Sequence, residues 1–145
     1  MRFSVMVIVL AMTPLACSGP NMMPHWNVDI VPPAPSDVDQ VAASARGIGF
    51  TLKDVPQATL GFGGDMTAKR LQVWEWPARP STSIAFFQDE KTGDHFIVFE
   101  ESQTEGLELV GEPCAKYLDL VRAMKARFGA ARLRFYKETC DPGRQ

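Results

Sequence analysis

The sequence predicts an α+β domain in which a mostly antiparallel sheet carries two helices, mainly on one face. Three strand-like segments follow one another at short intervals between residues 69 and 100. One helical pattern precedes them, and a second follows at residues 112–128. Consecutive strands flanked by helices, without regular strand–helix alternation, are typical of α+β folds. The predicted order is α-β-βββ-α-β, so that one or two further strands join a three-strand meander. A single domain at residues 36–145 holds them all.

Residues 1–16 have the layout of a secretory signal. Arg2 gives a positive start, residues 3–12 are almost entirely apolar, and the small residues Ala16 and Cys17 lie at the expected cleavage site. This order is typical of export signals. The apolar run is shorter than the roughly 20 residues that a transmembrane helix needs, so we expect a cleaved signal rather than a membrane span.

The residues Leu15-Ala16-Cys17, followed by Ser18, resemble the lipobox of bacterial lipoproteins. The resemblance covers only this N-terminal stretch, and Pro14 stands where the motif prefers leucine. It implies cleavage before Cys17, acylation of that cysteine, and, with serine next to it, sorting to the outer membrane with the domain facing the periplasm. An ordinary signal with cleavage nearby remains the alternative, and would leave the protein soluble in the periplasm or secreted. No family resemblance covers the mature chain.

Residues 17–35 are rich in proline and predict an extended tether between the acyl anchor and the domain. Within it, Trp26, Val28 and Ile30 alternate with polar residues, a pattern that also fits an edge strand. Ser36 is the expected cap of the first helix, and Gly47 its end. The helix has one apolar stripe: Val38, Val41, Ala42 and Ala45. A strand is predicted next, from residue 48 to residue 53.

The meander is predicted at residues 69–76, 83–88 and 95–100, after a glycine-rich turn at residues 61–65. Polar links at residues 77–82 and 89–94 are typical of antiparallel connections. Apolar side chains occur on both faces, whereas a sheet with one solvated face alternates more cleanly. We therefore expect either that helices and tails cover both faces or that one face receives a partner.

The second helix is predicted from Glu112-Pro113 to Gly129, and the last strand at residues 133–139. Besides Cys17 the chain contains two cysteines, Cys114 and Cys140. In an exported protein such a pair predicts one disulfide. The strand must end before Cys140, because that residue has the wrong parity to point toward the helix.

Charge is distributed unevenly along the mature chain. Residues 18–112 contain 14 acids and 6 bases, whereas residues 113–145 contain 3 acids and 8 bases. The net charge of −3 after removal of Arg2 does not favour nucleic-acid binding. The asymmetry indicates either a charged surface for a partner or mutual neutralisation of the two halves within the fold.

The sequence contains no recognisable catalytic motif and no metal or cofactor motif. His95 is interpreted as a hairpin-edge histidine, since Glu100 is too far along the same strand to share a proton. Trp74 and Trp76 lie on one strand face and either grip a ligand or fill the core. The candidate binding surface comprises Trp74, Trp76, Asp89, Glu90, Glu100 and Glu101.

These observations predict a non-catalytic envelope lipoprotein that binds a protein or another envelope component. One alternative is an immunity or inhibitor lipoprotein that blocks a secreted toxin or hydrolase through the acidic region between Asp89 and Glu112. Another is a periplasmic hydrolase that uses scattered carboxylates. The membrane contact expected in the first two cases is the acyl anchor at Cys17.

Overall fold

A computed structural model of the protein describes residues 25–103 and 108–145. Cys17, the predicted signal and the tether before His25 lie outside the described residues. The described part contains seven strands and two helices: β1 His25–Ile30, α1 Asp37–Gly47, β2 Thr51–Lys53, β3 Ala58–Gly61, β4 Thr67–Glu75, β5 Thr82–Asp89, β6 His95–Glu101, α2 Gly111–Phe128 and β7 Leu133–Phe135. A short 3₁₀ turn, Ala130–Arg132, separates α2 from β7.

All strands join one antiparallel sheet in the order β2-β4-β5-β6-β1-β7, and β3 also pairs with β4 beside β2. The predicted α+β class and the meander β4-β5-β6 are confirmed, and the predicted order is roughly matched. The turn between β5 and β6 closes through Asp89 N–H donating to the Asp94 carbonyl at 2.8 Å. Local alternation and turn residues were therefore sufficient to predict the centre of the sheet.

The position of β1 corrects the predicted tether and the predicted domain start at Ser36. Residues from His25 onward form a strand between β6 and β7, so the segment is neither a tether nor an edge strand. Trp26, Val28 and Ile30 are each at most 2 % exposed. Burying three such side chains contributes about 1.5–3 kcal/mol each, which explains why this proline-flanked segment belongs to the domain.

Three other strands differ from the prediction. β3 was not predicted, because its residues are mostly exposed and lack a clear alternation. β2 starts at Thr51 instead of Ile48, because Ile48 and Gly49 turn the chain at the end of α1. β7 ends at Phe135, so the strand is shorter than residues 133–139. The chain between Phe135 and Cys140 is irregular, which is consistent with the parity argument made for Cys140.

Both helices pack on one face of the sheet, called here the inner face. They bury a core that includes Trp74, Phe86 and Phe99 from the sheet and Tyr117 from α2. The Tyr117 ring lies edge-on to Trp26 at 4.8 Å and to Phe99 at 5.3 Å between centroids. Aromatic pairs in this geometry add about 0.5–1.5 kcal/mol beyond the area that they bury. The inner face therefore holds the main core of the domain.

A second apolar cluster lies on the opposite, outer face of the sheet. It consists of buried Ala68, Ala85, Phe87, Phe96 and Val98, with half-buried Val73 against it. No residue of α1 or α2 belongs to this cluster. The expectation that the meander carries apolar side chains on both faces is therefore confirmed.

The predicted disulfide is also confirmed. It joins Cys114, in the first turn of α2, to Cys140, with 5.8 Å between the Cα atoms. Val110 and Asp141 form a parallel bridge beside it, so the end of the chain is held against the start of α2. Among the described residues no helix is long and apolar enough to cross a membrane.

Candidate binding surface

The two tryptophans do not form an exposed pair, and Trp74 is a correction to the predicted binding surface. Trp74 is 0 % exposed in the inner core, with the Arg46 guanidinium 5.2 Å from its ring centroid. Trp76 is half-buried at the edge of the same core, and Lys116 Nζ lies 4.7 Å from its ring. Lys116 also donates to the Ile48 carbonyl at 2.7 Å. Both rings therefore pack between the sheet and the helices.

The four predicted acidic residues are divided between opposite ends of the sheet. Asp89 and Glu90 lie at the turn between β5 and β6, whereas Glu100 and Glu101 end β6. The five-residue step from His95 to Glu100 along an extended strand spans about 17 Å. One small ligand cannot contact both pairs, so the structure does not bring the predicted residues together as one site.

Glu101 is a second correction, because it is fully buried. Its carboxylate accepts hydrogen bonds from Arg79 Nε at 2.9 Å, from Thr82 Oγ1 and from the Gln103 amide at 2.8 Å. Desolvation raises the pKa of Glu101, but the hydrogen bonds and the Arg79 charge outweigh it and hold the pKa below its usual range. Glu101 therefore stabilises the end of the meander, and its carboxylate is not exposed to a partner.

A buried charged cluster that sequence reasoning missed joins Asp37, His95 and Arg132. Asp37 is 0 % exposed, and its Oδ2 lies 2.9 Å from His95 Nδ1. Its Oδ1 accepts from Arg132 Nη2 at 3.1 Å, and its Oδ2 accepts from the Ala34 amide at 2.8 Å. Burial raises the pKa of Asp37, but the His95, Ala34 and Arg132 contacts reverse this and lower it.

This cluster contains an aspartate–histidine pair of the kind that activates nucleophiles, but its contacts are structural ones. Arg132 also donates to the Pro32 carbonyl at 2.6 Å, so one guanidinium holds the loop before α1 and the start of the helix. No Ser, Thr or Cys hydroxyl or thiol hydrogen-bonds to His95 among the described residues. A sequence signal for the burial of Asp37 was available, since it lies one helical turn before Val41 on the buried stripe of α1.

An exposed apolar patch lies on the β3–β4 hairpin and was not predicted. Leu60 is 36 % exposed, and Phe62 and Met66 are each 38 % exposed. We call these three residues the hairpin patch. Scattered apolar side chains on a surface are ordinary, but contiguous ones are typical of interaction sites. Five large apolar residues are exposed in the described chain, and three of them lie in this one seven-residue stretch.

The acidic turn after β5 lies directly beside this hairpin. Thr59 Oγ1 of β3 donates to Glu90 Oε1 at 2.8 Å, and the Glu90 amide donates to the Thr67 carbonyl at 3.1 Å. Asp89 Oδ1 accepts from the Lys91 and Thr92 amides. The hydrogen bonds from Thr92 and then Lys91 lower the pKa of Asp89. The two predicted residues Asp89 and Glu90 thus remain at a surface, now next to the hairpin patch.

One row of side chains crosses the outer face from β4 to β7. Strand register places Arg70 opposite Phe87, Phe87 opposite Phe96, Phe96 opposite Asp29, and Asp29 opposite Arg134. Neighbouring members are about 4.8 Å apart because that is the spacing of paired strands. The row therefore has an apolar centre of two phenylalanines and charged residues at both ends.

Two shallow cavities occur near the C-terminal segment. One, of about 190 Å³, has Trp26 in its wall together with Glu108, Lys137 and Arg144. The other, of about 520 Å³, lies between Arg79 and the first turn of α2. The described residues include no group of three or more His, Cys, Asp or Glu side chains that could hold a metal ion. The hairpin patch combines exposed apolar side chains with an adjoining acidic turn, and we take it as the candidate binding surface.

Comparison of the chain with protein-family models, curated proteins and solved structures finds no match.

Proposed function

We propose that the protein is a non-catalytic lipoprotein of the bacterial envelope that binds a partner protein through the hairpin patch and the adjoining acidic turn. The observation that carries the proposal is the clustering of Leu60, Phe62 and Met66 beside Asp89 and Glu90. Apolar anchors with a charged rim are the usual anatomy of a protein-binding surface. The hairpin patch with the acidic turn takes the place of the tryptophan-based surface that the sequence suggested.

The disulfide supports the exported location in this proposal, because disulfides persist mainly in oxidising compartments. The proposed anchor is an acylated Cys17 in the outer membrane, with the domain facing the periplasm. Changing Cys17 to alanine should release the protein from the membrane fraction into the soluble periplasmic fraction. Retention of the Cys17→Ala protein in the membrane would contradict lipidation at that residue.

The binding surface is tested by site-specific photo-crosslinking in intact envelopes. A photoreactive residue at Met66 should give a defined adduct with an envelope protein, whereas the same group at Tyr136, a 74 % exposed residue on the far edge of the sheet, should not. Leu60→Ser should reduce the Met66 adduct without unfolding the domain, because Leu60 is exposed. Adducts of equal yield from both positions, or none from Met66, would refute the surface.

An inhibitor of a secreted toxin or hydrolase is the more specific version of this function, and it would use the same acidic turn. A gene for a secreted toxin next to the gene for this protein would favour that version. In the crosslinking experiment, it predicts that the Met66 adduct contains a basic toxin or hydrolase rather than a resident envelope protein.

A further inference from the structure

The tip of the β3–β4 hairpin places one aromatic ring over the outer face. The Phe62 ring lies edge-on to Phe87 at 5.0 Å and to Phe96 at 5.5 Å between centroids. The tip closes through Phe62 N–H donating to the Met66 carbonyl at 3.0 Å. Gly63 and Gly64 have φ values of 93° and 56°, which residues with side chains rarely adopt. The glycines therefore permit a tight tip that folds Phe62 onto the sheet.

Phe62 occupies a site with a flat aromatic floor. Phe87 and Phe96 are stacked at 5.1 Å with 11° between their planes, and they are only 4 % and 5 % exposed. Phe62 itself is 38 % exposed. An aromatic side chain from another molecule would find the same floor if Phe62 moved away, and it would make contacts of the same kind.

One end of this floor carries two carboxylates. Asp29 lies opposite Phe96 in the strand register, and Asp94 lies two residues before Phe96 in the sequence. Neither acid has a salt-bridge partner within 4.0 Å in the described part of the chain, although Arg134 stands opposite Asp29. Partial desolvation raises the pKa of Asp29; Arg134 opposes this and Asp94 adds to it.

The other end of the floor carries an arginine. Arg70 stands opposite Phe87, and its Nη2 donates to the Pro56 carbonyl at 3.4 Å. Its buried Nε has no hydrogen-bond partner among the residues described. That Nε is closed to solvent, so Arg70 contributes a charge at this end and not an open hydrogen-bond site. The row therefore has Arg70 at one end, an aromatic centre, and Asp29 and Asp94 at the other end, where Arg134 stands opposite Asp29.

From this arrangement we infer that Phe62 is a replaceable plug, displaced by an aromatic side chain of a partner segment whose neighbouring lysine or arginine meets Asp29 and Asp94. This inference rests on the proposed binding function and names the chemistry of the partner: within the hairpin patch, Leu60 and Met66 contact the partner, whereas Phe62 leaves its site when the partner binds. The acidic turn at Asp89 and Glu90 extends the same preference for positive charge. An anionic lipid surface is disfavoured as the occupant, because its head groups would be repelled by the four acids Asp29, Asp89, Glu90 and Asp94.

The inference is tested with short peptides on the mature, oxidised protein by nuclear magnetic resonance titration. The probes are end-blocked pentapeptides Gly-Lys-Phe-Lys-Gly, Gly-Glu-Phe-Glu-Gly and Gly-Lys-Ser-Lys-Gly. The first should cause saturable shifts at Phe62, Gly63, Phe87 and Phe96. The other two should bind at least about tenfold more weakly, because one reverses the charge and the other lacks the aromatic anchor.

Two variants test the acidic end against a matched control. Asp29→Asn and Asp94→Asn should each weaken Gly-Lys-Phe-Lys-Gly binding several-fold. Asp39→Asn, which neutralises an exposed acid on α1, should leave it unchanged. Equal binding of the lysine and glutamate peptides, or equal binding by wild type and both aspartate variants, would overturn the assignment of the acidic end.

If Phe62 is a plug, its removal should raise the affinity for the peptide. Removing the ring in Phe62→Ala should tighten peptide binding about threefold or more, because the site no longer has to be opened first. Tyr136→Ala, the control at another exposed aromatic, should have no effect. Weaker binding by Phe62→Ala would show that Phe62 is a ligand contact and would refute the plug.

The failure of this inference is distinguishable from failure of the proposed function. A Met66 adduct in envelopes without any peptide shift at Phe87 and Phe96 would leave the binding surface in place and refute the aromatic–basic chemistry. Saturable peptide binding without an adduct would support the chemistry and contradict the proposed use of the patch in the envelope. Hairpin shifts with phosphatidylcholine vesicles, in the absence of peptide shifts, would overturn the inference in favour of a lipid surface.

Discussion

Replacing Asp37 tests whether the buried cluster holds the loop before α1 in place. Removing one member of a buried, hydrogen-bonded ion pair typically costs about 3–5 kcal/mol of folding free energy. Since the Arg132 side chain is 30 % exposed, water can solvate part of its uncompensated charge. We therefore expect a loss near the lower limit, about 3 kcal/mol, for Asp37→Ala and about 2 kcal/mol for Asp37→Asn, whose amide oxygen still accepts a hydrogen bond.

The measurement is equilibrium unfolding in urea of the oxidised protein at pH 7. Asp39→Asn is the control, because Asp39 is an exposed acid in the same first turn of α1 and makes a similar helix-dipole contribution. It should change the free energy of unfolding by less than about 0.5 kcal/mol. If Asp37→Asn and Asp39→Asn differ by less than that amount, the cluster does not stabilise the fold and the reasoning is wrong.

The same variant predicts a pH dependence of definite sign. The pKa of Asp37 is lowered in the folded protein from its ordinary value of 3.8. A depressed folded pKa gives stability that is fully present above the unfolded pKa and is lost as pH falls through the folded value. The difference in unfolding free energy between wild type and Asp37→Asn should thus be constant at neutral pH and shrink below about pH 4. A difference that grows on acidification would contradict the assigned contacts.

Two further predictions concern the inner core and the crosslink. Trp74→Ala should cost about 3–5 kcal/mol of folding free energy, because it empties a fully buried site; unchanged stability in urea unfolding would mean that this ring is not part of the core. The double variant Cys114→Ser with Cys140→Ser should lose about 3.5 kcal/mol, since the disulfide joins residues with a sequence separation of 26. A reducing agent should then lower the stability of wild type but not that of the double variant.

The candidate site shows why residue type alone was not enough to predict a surface. Trp74 could either grip a ligand or fill the core, and Glu101 belongs to an acidic region that could face a partner, yet the fold buries both side chains. Leu60, Phe62 and Met66 lie in or beside a glycine-rich turn, and nothing in that local pattern predicts an exposed apolar patch. Their exposure depends on how β3 pairs with β4 and on the absence of either helix from that face.

The sequence by itself determined the features that depend on neighbouring residues. Helical spacing of apolar side chains predicted α1 and α2, alternation and turn residues predicted the meander, and two cysteines after a predicted export signal predicted the crosslink. These signals are local or compositional, so no knowledge of the packed chain was needed. The same local signals left open whether Trp26, Val28 and Ile30 belonged to a tether or to a strand.

Only the tertiary structure decided which segments meet. It placed β1 inside the sheet, and it joined Asp37 to His95, 58 residues away, and to Arg132, 95 residues away. Burial and charge pairing are set by such long-range contacts, because a side chain is desolvated by whatever packs against it and not by its neighbours in sequence. For this reason the chain's periodicities predicted its elements, while the partners of its charges and the exposed face of its sheet followed from the packing.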